Sequence, residues 1–308
     1  MSSLRKLSGV LAGLLMACPA HAGKLSIVID DFGYRPQQEN QVLQMPAAIS
    51  VAVLPDATHA HEMAIKAHQR GHEVLIHLPM APLSKQPLEK NTLRPDMSSG
   101  EIEKIIREAV ANVPYAVGLN NHMGSAMTSS LPGMQKVMQV LNNYNFYFLD
   151  SMTIGNSQST RAAMGTRVKV IKRRVFLDDT QNEADIRKQF MRAVHLAQRD
   201  GSAIAIGHPH PTTVRVLQEM LPTLPADITL VRPGQLLNEP QNFNHTPLPP
   251  ERKPARNPFH GVKDCPVKVA PVPASRALTV VTESITDSAG VRYITTYFSG
   301  LTLNLGKN

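Results

Sequence analysis

Tryptophan is absent from the 308 residues and aromatics make up only 5%, so the chain has few rings on which bases or sugars could stack. Two cysteines are present. Cys18 falls in an N-terminal segment expected to be removed, which leaves Cys265 without an internal partner and any metal site without a thiolate pair. Acidic residues are the minority, 24 against 32 Lys and Arg for a net +8, but the excess sits at the ends. Residues 23–239 hold 22 basic and 20 acidic residues, or +2, without the basic footprint of a nucleic-acid binder. Apart from the N-terminal run, no apolar stretch reaches membrane-spanning length. Also missing are G-x-G-x-x-G, G-x-x-x-x-G-K-[ST] and G-x-S-x-G, which removes the usual nucleotide signatures and the serine-hydrolase elbow that Ser151 would need.

What is present begins with a leader-like segment. Arg5 and Lys6, the apolar stretch from Leu7 to Ala17, and Ala20-His21-Ala22 follow the order of a secretory signal over residues 1–22. A periplasmic or secreted protein is expected, starting near Gly23. The competing lipoprotein reading at Cys18 is weakened by Met16 and Pro19. At the other end, nine prolines in the 34 residues from Pro240 to Pro273 mark residues 240–308 as a Pro-rich linker and tail. Alternating residues around Asp287 to Gly290 suggest a late hairpin, and the tail is a candidate contact for an envelope protein partner.

Between these ends, short apolar runs alternate with helical segments. The runs are Leu25–Ile29, Ile49–Leu54, Glu73–Ile76, Tyr115–Leu119, Phe146–Leu149, Val168–Ile171, Ala203–Ile206 and Ile228–Val231. Helices are predicted over Pro36–Met45, His59–Arg70, Ser99–Asn112, Pro132–Asn143, Glu183–Arg199 and Thr212–Met220, the third announced by the capping-box pair Ser98 and Glu101. This order gives an α/β fold with mostly parallel strands, as a closed or nearly closed (β/α) barrel or else a doubly wound open sheet. Met134 and Met138 are expected in the core, and His59, His61, His68 and His72 toward solvent.

The polar residues gather where the apolar runs end: Asp30 and Asp31, His77, Asn120 to His122, Asp150 and Ser151, His208 and His210. In a parallel α/β fold those ends share one face, where sites are built. An Asp with two or three His is a ligand set for Zn²⁺ or a similar divalent ion, with a second carboxylate available as base and a further His as acid. Asn121, Asp150 and His210 are candidate substrate-binding residues. Asp178 either reaches this face or caps a loop, and Lys172 to Arg174 is read as a solvated basic run.

Five segments, VIDDFG (Val28–Gly33), GHEVLIHLPM (Gly71–Met80), GLNNHMGS (Gly118–Ser125), FLDSMT (Phe148–Thr153) and IAIGHPH (Ile204–His210), together resemble the divergent polysaccharide deacetylases, relatives of the NodB-type carbohydrate esterases. The resemblance covers residues 24–238. It implies a distorted (β/α) barrel and metal-dependent removal of an acetyl group from a glycan. It places the base on Asp30, metal ligands on Asp31 and His77, and the acid on His208. The second motif histidine falls on Ala81, which has no donor atom, so His122 is expected as the third ligand and His210 as a ligand or an orienting group. The arginine that tethers the base has no counterpart in the fourth motif. The competing reading is a barrel that has kept its cleft without turnover and binds glycan or a partner protein.

Overall fold

The computed structural model describes residues 22–239. The expected signal segment, Cys18, Cys265, the Pro-rich tail and its hairpin lie outside the described residues. Nine strands form one sheet: β1 (Gly23–Phe32), β2 (Ser50–Val53), β3 (Val74–Met80), β4 (Ala116–Met123), β5 (Tyr147–Asp150), β6 (Val170–Lys172), β7 (Val175–Phe176), β8 (Ser202–Gly207) and β9 (Ile228–Leu230). Their order is β6-β5-β4-β3-β2-β1-β8-β7, with β9 on the foot of β1, and every pairing is parallel. The sheet curls into a half-barrel, the distorted (β/α) barrel of the sequence expectation, rather than an open doubly wound sheet. The two edges are β6 and β7, neighbours in the chain that do not pair.

Helices cover the outer face: α1 (Pro36–Val42), α2 (Ala60–Gln69), α3 (Ser99–Asn112), α4 (Ser125–Ser129), α5 (Leu131–Leu141), α6 (Ser159–Ala162), α7 (Glu183–Asp200) and α8 (Pro211–Met220). The α3 boundaries match the sequence prediction because Ser98 and Glu101 do form the reciprocal cap, which satisfies amides the first turn leaves unpaired. Ile102, Ile105, Ile106 and Ala109 recur at helical spacing and are buried against the sheet. The short α4, α6 and β7 were not predicted, since segments of two to five residues carry too little periodicity to register.

Strand alternation divides the core in two. Leu25, Ile27 and Ile29 belong to the large outer cluster with Met63, Ile106, Met134, Met138 and Phe190, while Val28, Ala52, Leu75, Leu149, Ile171, Ile204 and Ile206 form the smaller barrel interior. The short 3₁₀ turn Pro233–Leu236 adds the buried Leu236 to that interior. His72 departs from expectation: it is buried, with Nδ1 2.8 Å from the Ile49 carbonyl, pinning the α2–β3 turn onto the end of the preceding loop.

Candidate metal centre and cleft

The interior register continues upward from the apolar floor into polar residues. Above Val28 stands Asp30, above Leu75 His77, above Leu149 Ser151, above Ile171 Arg173 and above Ile206 His208. On β4 the same parity selects Asn120 and His122, and Asn120 is paired in register with His77. Asp31 belongs to the wrong parity and reaches the site by a bulge. The β1–β2 register shifts between Ile29 and Phe32, and Asp31 takes a left-handed φ of 57°. The strand thereby turns two consecutive carboxylates toward one centre.

Three donor atoms converge there. Asp31 Oδ1 lies 3.0 Å from His122 Nδ1 and 3.2 Å from His77 Nε2, and the two ring nitrogens are 3.1 Å apart. The buried Asp31 oxygen nevertheless has no hydrogen bond of acceptable direction. N and O ligands of a tetrahedral zinc, each about 2.0–2.1 Å from the ion, lie about 3.3 Å from one another. The donor set and its spacing therefore fit a divalent cation. Burial works against the Asp31 charge, but the imidazoles of His122 and His77 outweigh it and hold this carboxyl far below the ordinary carboxylate range.

Behind the centre, His77 Nδ1 is 2.8 Å from Asn120 Oδ1, and Asn120 Nδ2 donates to Asp30 Oδ1 at 2.8 Å. A carboxylate only accepts, so the amide must present its oxygen to His77. Nδ1 therefore carries the proton and Nε2 presents a lone pair to the centre. Asp30 Oδ2 is 3.6 Å from His77 Nε2. Burial is the largest influence on Asp30 and raises its pKa, against the pull of His77, His208 and the Asn120 bond.

On the opposite wall, Asp178 accepts from the His208 backbone N–H at 2.7 Å and sits 2.9 Å from Nδ1, with Thr213 Oγ1 donating to it at 2.7 Å. Burial opposes charge on His208, but Asp178, then Asp30 and Asp31, outweigh it and hold the imidazolium to about pH 9. The ring stacks at 6.3 Å on Phe176, whose other neighbour is the Arg173 guanidinium, 3.6 Å from the phenyl centroid. Asp178 is thus part of the site.

Arg173 also departs from the solvated-face reading. Its Nε and Nη2 donate to the Ser151 and Met152 carbonyls at 2.6 and 2.8 Å, and burial lowers its pKa to about 10 although Asp150 and Asp30 attract its charge. An arginine tied to the site therefore stands immediately after β6, outside the fourth motif.

Two candidate substrate residues are committed to the chain itself. Asn121 is 1% exposed; its amide donates to Met123 O at 2.6 Å and its carbonyl accepts from Ser151 N at 2.9 Å. Asp150 is fully buried and accepts from Met152 N, Ser157 Oγ and Ser159 Oγ, shaping the loop into α6. Both sit one residue off the interior parity, whereas Asn120, which the sequence reading passed over for Asn121, is on it. Ala81 contributes its carbonyl to the start of α4, accepting from Ala126 N and Met127 N. His210 lies at the cleft rim with Nδ1 2.7 Å from Arg35 Nη1. Asp178, His208 and His210 also lie close enough to be considered as a cation group, but the Asp178–His208 bond occupies its facing atoms and the Arg35 cation occupies His210.

Asp31, His122, His208 and His210 line a cavity of about 320 Å³ with Tyr34, Arg35, Leu54, Glu89 and Pro209. The family model described as divergent polysaccharide deacetylase matches residues 27–237, the segment that carries all of these side chains. The chain belongs to the divergent polysaccharide deacetylase family. The uncharacterized protein YibQ of Escherichia coli (strain K12) is 66% identical over 300 residues, covering 96% of this chain and 94% of that one. An uncharacterized protein of Haemophilus influenzae is 43% identical over 213 residues, 69% of this chain and 76% of its own. In fold, the crystal structure of uncharacterized protein ATU2773 from Agrobacterium tumefaciens C58 matches with a TM-score of 0.65 at 18% identity, over 71% of this chain and 91% of that one. This member therefore has a deacetylase-type barrel, and Asp31, His77 and His122 at the C-terminal ends of its strands form a group with the spacing to hold a cation. Among the described residues no helix is long and apolar enough to cross a membrane.

Proposed function

We propose that this chain is an exported, metal-dependent hydrolase that removes acetyl groups from an envelope or extracellular glycan. The observation that carries the reading is the convergence of Asp31 Oδ1, His77 Nε2 and His122 Nδ1 within 3.0–3.2 Å, in a cleft that also holds the Asp30 carboxylate and the Asp178-bonded His208. Asp31, His77 and His122 would hold the ion, most simply Zn²⁺ given an N₂O donor set without thiolate. When bound, such an ion lowers the pKa of water and polarises a carbonyl.

The chain's own groups divide the proton work. Asp30, raised by its burial and oriented by Asn120, takes a proton from the attacking water as that oxygen bonds to the acetyl carbon. His208 has Nδ1 engaged by Asp178, so its Nε2–H is the remaining donor. It gives that proton to the sugar nitrogen or oxygen as the bond to the acetyl carbon breaks, leaving acetate and a free amine or hydroxyl. Arg173 and Phe176 keep the His208 ring in its plane.

The test joins zinc content to acetate release. The mature chain, purified without a His tag and dialysed against trace zinc, should retain about one ion per chain and release acetate from acetylated glycans. Asp31→Ala should lose both. No stoichiometric metal in the wild-type protein, or no acetate from any acetylated glycan tried, would leave a glycan- or partner-binding barrel as the better account.

A further inference from the structure

Beyond the centre, the β1–α1 loop presents two side chains at the cleft mouth. Tyr34 is 45% exposed, its hydroxyl 3.2 Å from Glu89 Oε2, and Arg35 is exposed beside it. The loop that carries them is held from below by a fully buried carboxylate. Glu39 Oε1 accepts from Gly33 N at 2.9 Å and from Arg35 N at 2.6 Å. Burying a carboxyl group is costly unless hydrogen bonds compensate it, as these two amides do, and a loop fixed in this way loses little further freedom when a ligand arrives.

The Arg35 guanidinium has no carboxylate partner among the described residues. Among the described residues its side-chain hydrogen-bond partner is His210 Nδ1, on a ring whose pKa is lowered by burial and by the nearby charges of His208 and Arg35 against the pull of Asp178. An arginine can only donate, so Nδ1 accepts and the His210 proton sits on Nε2, where the Gln181 amide 3.3 Å away must turn its oxygen toward it. One of five N–H donors is thereby used to aim the group, and the planar fork remains at the rim of the 320 Å³ cavity.

We propose that the cleft takes an acetylated glycan bearing a carboxylate, and that Arg35 recognises that carboxylate through its free donor edge. This rests on the reading of the cleft as a glycan site and adds the charge class of the glycan. The carboxylate can be a C6 uronate or a lactyl ether on O3, which present the same planar acceptor to the guanidinium.

Isothermal titration of the full chain with three N-acetylglucosamine tetrasaccharides tests it: the neutral one, one oxidised to a C6 carboxylate and one carrying an O3 lactyl ether. At low salt at least one acidic form should bind about tenfold tighter than the neutral form, and the form that gains locates the carboxylate. In Arg35→Gln the ratio should fall to roughly twofold or less. Equal binding of all three by the wild type, no binding of either acidic form, or an acidic preference kept in Arg35→Gln would overturn the assignment. Zinc content and acetate release on the same samples belong to the deacetylase reading, and they can fail while the acidic preference stands.

Discussion

His77 and Asn120 occupy paired positions on β3 and β4, and the 2.8 Å bond between Nδ1 and Oδ1 decides which nitrogen of His77 faces Asp31 and His122 in the candidate metal centre. The same amide reaches Asp30, so one neutral side chain orients both the proposed ligand His77 and the proposed base Asp30.

Substituting Asn120 by Ala should therefore weaken zinc binding by about 10–100-fold, the usual cost of losing a group that orients a ligand. Asn121→Ala, one residue along, should instead lower stability by about 1–3 kcal/mol through its lost backbone bonds, with little effect on metal affinity. Competitive zinc titration and urea denaturation of both variants separate the two residues. Equal zinc affinity in the two would contradict the strand-parity argument.

Zinc at 100 times its dissociation constant should raise the stability of the wild type by about 2.7 kcal/mol, seen as a higher melting temperature that a chelator reverses. Asp31→Ala and His77→Ala should show no such response while keeping a native circular-dichroism spectrum. A full thermal shift in Asp31→Ala would remove it from the ligand set.

The His208–Asp178 pair predicts a pH dependence for the metal-free protein. His208 is held to about pH 9 in the fold against about 6.5 in the unfolded chain, so the native state binds more protons between those values and stability falls as pH rises through that window. The contribution, roughly 3 kcal/mol at its upper limit, is complete below about pH 6.5 and gone above about pH 9. Asp178, lowered by His208 and Thr213 against its burial, contributes from above its unfolded pKa and is lost only as pH falls through its lower folded value. Urea midpoints at pH 6, 7.5 and 9 should decline in the wild type and flatten in Asp178→Asn.

Glu39→Ala should cost about 1–3 kcal/mol by leaving the Gly33 and Arg35 amides without their acceptor. Gly33→Ala should also destabilise, since φ is +115° and a Cβ would stand 2.6 Å from that of Ala57. Thermal melts check both. A Gly33→Ala protein as stable as the wild type would show that the loop can relax there.

The sequence by itself determined an α/β fold with a parallel sheet, because apolar runs ending in polar residues and alternating with amphipathic helices leave few other ways to bury both faces of a sheet. It also placed Asp30, Asp31, His77, His122 and His208 at one end. In retrospect, alternation could have selected Asn120 over Asn121 and Ser151 over Asp150, since the apolar floor residues Leu149, Ile171 and Ile206 set the parity. The curl of the sheet was beyond that reasoning, as was the left-handed turn at Asp31 that breaks parity and adds a second carboxylate. So were the inward turn of Arg173 and the meeting of Asp178 with His208 across 30 residues. Those depend on bulges and side-chain contacts between distant strands, energies that no local pattern records and only the packing of the curled sheet decides.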